Sequence, residues 1–100
     1  MLDIVSIEDP HGLRLDGELD LATAQDLMSA LEPHLREGGD IVLDVSELRF
    51  MASAGVQVLI NALQTLDGRG RLVLMRPVDG VQRLIAVMGL LRFDNLEVRS

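Results

Sequence analysis

The sequence predicts an α/β domain built as a mostly parallel mixed sheet with an N-terminal antiparallel hairpin and helices packed on it. Three observations point there. Two runs of period-two alternation open the chain, three later segments carry apolar residues at helical spacing, and short aliphatic runs separate those segments. The resulting order is β-β-α-β-α-β-α-β. Each crossover to a parallel neighbour is right-handed and needs a helix's length of chain, which places helices on the faces of the sheet. One hundred residues with 48% hydrophobic content suffice for one core. No repeat or linker divides residues 1–100, so one domain is expected.

In the first alternating run Leu2, Ile4 and Ser6 interleave with Asp3, Val5 and Ile7, and in the second Leu13 and Leu15 interleave with Arg14 and Asp16. Between them, Asp9-Pro10-His11-Gly12 has the residues of a type I turn, with Pro at the second place fixing φ and Gly at the fourth. His11 is then a turn-tip residue, not a ligand or catalytic base. After Gly17-Glu18-Leu19-Asp20, the residues Ala24, Leu27, Met28, Leu31 and Leu35 form a helical stripe that Asp20 or Thr23 can cap. Pro33 predicts a kink near Ser29, while Leu35 carries the stripe onward and Gly38-Gly39 ends it. Ile41 to Val45 reads as the third strand and Ala54 to Thr65 as a deeply packed helix. Asp67 to Gly70 is a turn, Leu72 to Met75 a strand, and Pro77-Val78-Asp79 opens a helix that Gly89 closes. Leu96 to Val98 makes the last strand.

Composition removes several functions. The formal net charge is -7, with sixteen Asp and Glu against nine Arg and no Lys, so phosphate backbones and anionic membranes are repelled. With two Phe and neither Trp nor Tyr, stacking on nucleobases is effectively absent. Nucleic acid and membrane insertion are therefore not expected, and a partner with a basic or apolar face is. The lack of Cys excludes disulfides, thiol catalysis and thiolate metal sites. No signal peptide is visible, and Leu84 to Leu91 is too short to span a bilayer, so a soluble cytoplasmic protein is expected.

Chemistry gathers in the loops beyond the carboxyl ends of parallel strands, here Gly17 to Asp20 and Phe50 to Gly55. Asp20 and Ser53 should share that end, where the carboxylate could accept a hydrogen bond from the hydroxyl. A serine hydrolase does not fit. Met51 stands where the nucleophile elbow needs its first Gly, no Lys is present as an alternative base, and no His follows Ser53. Gly68-Arg69-Gly70 lacks the Gly-Lys of a phosphate loop. No catalysis and no cofactor are expected. Ser53 reads first as an N-cap of the following helix; a Ser at a helix N-terminus can also carry phosphate, because free amides and the helix dipole stabilise the dianion.

The motifs Gly17-Glu18-Leu19-Asp20, Ile41-Val42-Leu43-Asp44-Val45, Phe50-Met51-Ala52-Ser53-Ala54-Gly55-Val56 and Met88-Gly89-Leu90, in this order, make the chain resemble the STAS domain family of bacterial anti-sigma factor antagonists and sulfate-transporter tails. The resemblance implies a switch: the unmodified protein binds an anti-sigma factor with a GHKL-type kinase fold, and phosphorylation of a Ser matching Ser53 ends the complex. It implies partner contacts from Asp20, Met51, Ala52, Ser53, Ala54, Gly55 and Val56. Ala52 departs from the Asp that precedes the phosphorylated Ser in such antagonists, with Asp20 and Asp44 as candidate substitutes. The alternative function is a constitutive, unphosphorylated STAS adaptor of a transport or stress-signalling complex.

Overall fold

The computed structural model describes residues 1–8 and 11–100, with His11 described by its backbone alone. Strand β1 (Leu2–Glu8) and β2 (His11–Leu19) precede α1 (Leu21–Glu37), followed by β3 (Ile41–Met51), α2 (Ser53–Thr65), β4 (Leu72–Met75), α3 (Asp79–Val87), a 3₁₀ turn at Leu90–Arg92 and β5 (Leu96–Arg99). The expected type I turn falls largely outside the described residues. Glu8 pairs with His11 and Ile7 with Gly12, which puts the turn's last two residues in β2.

One five-stranded sheet forms in the order β1-β2-β3-β4-β5, antiparallel at β1–β2 and parallel thereafter. Because each crossover steps to the next strand in the same direction, the right-handed rule places all three helices on one face rather than on both. The burial pattern agrees. Ala24, Leu27 and Leu31 of α1, Val56, Leu59 and Leu63 of α2 and Val81 and Ile85 of α3 join Leu13, Leu15, Leu43, Leu72 and Leu74 in one cluster, which leaves out Val42, Asp44 and Val73.

Helix α1 runs through Pro33 to Glu37, and Gly38 ends it at φ 77°, a conformation that favours glycine. The third strand is longer than its aliphatic run suggests. Beyond Asp44 it has left β4 behind and keeps pairing with β2 alone as far as Leu19 opposite Met51, with register shifts between Arg14 and Asp16 and between Gly17 and Glu18. These irregularities break the period of two, so that Leu48 and Met51, three residues apart, are both buried.

Candidate functional site

The parallel pairing of β2 with β3 brings the ends of both strands to one pole of the molecule. Leu19 lies opposite Met51, and the Ala52 amide donates to the Leu19 carbonyl at 2.8 Å. This bond stitches the β2–α1 loop to the β3–α2 loop, so Asp20 and Ser53 open neighbouring helices at the same end.

Asp20 is the N-cap of α1. Its Oδ1 accepts from the Thr23 amide at 3.0 Å, while its own amide donates to Thr23 Oγ1 at 3.0 Å, a reciprocal capping box. The hydrogen bond from the Thr23 side chain and that from its amide hold the Asp20 carboxyl below its ordinary range. One carboxylate oxygen, Oδ1, is thus engaged by its own helix. The expected bond from the Ser53 hydroxyl is not formed, because Thr23, one turn along the same helix, is the nearer partner.

Ser53 is not the N-cap either. Ala52 holds that place, with φ -89° and ψ 170° and no side-chain cap, and Ser53 is the first helical residue. The Gly55 and Val56 amides turn back to the Ala52 carbonyl at 2.9 and 3.2 Å, which leaves the amides of Ser53 and Ala54 as the unpaired donors of the first turn. Ser53 is exposed, and its hydroxyl has no hydrogen-bond partner among the described residues.

Around Ser53, Ala52 and Ala54 are partly exposed, whereas Met51, Gly55 and Val56 are buried. The buried three shape the loop from beneath. A Cβ on Gly55 would lie 2.6 Å from Leu19 Cγ, so only glycine lets α2 start this close to β2. The acidic flank is partly neutralised: Arg49 donates to Glu18 at 2.8 Å, and this bond leads the causes that depress the Glu18 carboxyl.

The exposure of Leu21, the ion pair of Asp44 and the backbone of Arg76 escaped sequence reading. Leu21, the first residue of α1, is 82% exposed, and Phe50, at the edge of the site loop, is 52% exposed. Asp44, 8% exposed, is the buried charged residue among those described; its carboxylate accepts from the Ser46 amide and hydroxyl and from Arg76 at 2.6 Å. Arg76 itself has φ 55°, a left-handed conformation that no sequence pattern announces. Burial alone would raise the Asp44 carboxyl, but the Ser46 bonds and the Arg76 guanidinium hold it below its ordinary range. The described residues contain no group of three or more side chains suited to a metal ion.

The family model described as "Mlab, STAS domain" matches residues 5–97. The chain belongs to the STAS domain family. This STAS domain is 34% identical over 86 residues to the anti-sigma-B factor antagonists of Listeria monocytogenes and Listeria innocua, which covers 84% of this chain and 74% of theirs. Solved structures bear out the fold. A Thermotoga maritima protein proposed to be an anti-sigma factor antagonist superposes with a TM-score of 0.77 at 22% identity, over 100% of this chain and 86% of that one. Unphosphorylated SpoIIAA, an anti-sigma factor antagonist, superposes with a TM-score of 0.68 at 21% identity, over 86% and 82%. Among the described residues no helix is long and apolar enough to cross a membrane.

Proposed function

We propose that this STAS domain is an anti-sigma factor antagonist: it binds an anti-sigma factor of GHKL-type kinase fold through the Asp20 and Ala52 to Ala54 loops, and phosphorylation of Ser53 releases it. The observation that carries this reading is the Ser53 hydroxyl, exposed and without a hydrogen-bond partner among the described residues at the first position of α2. A kinase can reach it without unfolding anything. The reaction belongs to the partner and this chain is not an enzyme; it acts in the cytoplasm as a phosphoacceptor and a binding surface.

The physical effect of the phosphate falls on the complex. At the start of α2 the dianion meets the positive end of the helix dipole and two unpaired amides, an interaction worth about 0.3–1 kcal/mol in favour of the modified fold. A partner face built for a neutral hydroxyl instead meets about -1.5 to -2 of added charge. Shifting a complex from 99:1 to 1:99 takes roughly 5.5 kcal/mol of differential affinity, which a desolvated dianion at the centre of the contact can supply. The test is to incubate the protein with its cognate anti-sigma kinase and ATP and follow intact mass. One phosphate on Ser53 is expected, Ser53→Asp should lose the partner, and Ser53→Ala should hold it. An unchanged mass would remove the switch, and equal binding by both variants would leave Ser53 without a role in the contact.

Ala52 favours a second reading, the constitutive adaptor of a transport or stress-signalling complex. Where phosphorylated antagonists have a carboxylate, this helix start has a methyl group. Recovery of a transporter ATPase with the protein, without any anti-sigma kinase, is the result this reading expects.

A further inference from the structure

We propose, on the reading that the partner is an anti-sigma factor, that Leu21 and Phe50 are the apolar anchors by which this domain holds it, one on each of the two loops that meet at Ser53. The loops otherwise offer such a partner little to grip. Of the residues expected to make the contact, Met51, Gly55 and Val56 are buried, and those that reach the surface, Asp20, Ala52, Ser53 and Ala54, present a carboxylate, a hydroxyl and two methyl groups. A stable contact needs a desolvated centre of larger apolar or aromatic side chains. Leu21 opens α1 and Phe50 is the residue before the last of β3, and both are more than half exposed. The fold requires neither side chain where it stands. Helix α1 is already capped by Asp20 and Thr23, and Phe50 pairs with Glu18 through its backbone.

Chain geometry puts both anchors inside one contact. The 2.8 Å bond from the Ala52 amide to the Leu19 carbonyl limits the separation of the Leu21 and Ser53 Cα atoms to about 15 Å. Phe50 is three residues from Ser53, so their Cα atoms are at most about 11 Å apart. A standard interface covers about 800 Å² of each partner, a patch of about 16 Å radius. A partner centred on Ser53 therefore reaches both side chains. A second copy fits this surface poorly. The ends of β2 and β3 and the loops after them carry Asp16, Glu18, Asp20 and Glu47, countered by Arg49 and the Met1 amine, and a twofold contact would set the surplus carboxylates against their own images.

Leu21→Ser and Phe50→Thr are the variants that test this, the second keeping a residue that favours strands. Both should retain the wild-type urea midpoint. With the cognate anti-sigma kinase, each should weaken the unphosphorylated complex about tenfold in Kd and raise KM for the domain as substrate by a similar factor. Neither should lower kcat, because an anchor remote from the hydroxyl holds the bound complex and the transition state alike. Wild-type Kd and KM in both variants would overturn the anchors while leaving phosphorylation of Ser53 standing. A fall in kcat at unchanged KM would also overturn them, since it would place the two residues in phosphoryl transfer. So would self-association of the wild type that Phe50→Thr abolishes, which would make the occupant a second copy. Where no phosphate is transferred, the Kd decides alone. A wild type that neither binds the kinase nor accepts phosphate would remove the partner, and the anchors with it.

Discussion

Ala52 concentrates the functional question in one methyl group. Its φ and ψ are those of an N-cap, yet it has no side-chain oxygen to offer the unpaired amides of α2. Ala52→Asp should therefore act twice. It should stabilise the fold by about 1 kcal/mol, read as a higher urea midpoint, because a carboxylate can cap the first turn. It should also speed phosphorylation of Ser53 by an anti-sigma kinase, if what the site lacks is the preceding carboxylate. A stability gain without a kinetic gain would separate the two effects and favour the constitutive adaptor. Asp20 Oδ1 is already held by Thr23, and Asp44 is committed to Ser46 and Arg76.

At the scale of elements, the site depends on how closely α2 approaches β2. The Cβ of Gly55→Ala would press on Leu19, which is fully buried, and on Met51 Cγ at 3.1 Å. The gain in helix propensity, up to about 1 kcal/mol, opposes an overpacking cost of about 1–3 kcal/mol, so the net effect should be a loss of about 1–2 kcal/mol in chemical denaturation. Displacement of the Ala52 to Ala54 loop should accompany it, seen as amide shifts at those residues. Every helix and strand was legible in the sequence, because stripes such as Leu27, Leu31 and Leu35 or runs such as Leu72 to Met75 record burial directly. What was not legible depends on long-range pairing. The continuation of β3 to Met51 comes from its bulged ladder with β2, and the choice of Ala52 over Ser53 as the cap comes from where the Leu19 carbonyl takes the last strand amide. Expected periodicity ends at Val45, since Ser46 and Glu47 interrupt the apolar run.

For the whole molecule, acid is the condition that exposes the role of its charges. Asp44, Asp20, Glu18 and Glu97 all have lowered carboxyl pKa values in the fold. A lowered folded-state pKa means that the stabilisation is fully present above the unfolded-state value, and is lost as pH falls through the folded-state value. Asp44 is the most informative of the four because it ties β3 to the left-handed Arg76 beyond β4, in a site that is mostly buried on the carboxylate side and half-exposed on the arginine side. Asp44→Asn keeps the shape and an acceptor for Ser46 but removes the charge. After allowance for solvent screening of Arg76, it should cost about 1–2 kcal/mol at neutral pH. That difference should shrink as the wild type is acidified through and below the ordinary carboxylate range, since protonation makes native Asp44 neutral as well. Urea midpoints of both proteins across this window would measure it, and a gap independent of pH would show that Asn fails through packing instead of through its lost charge.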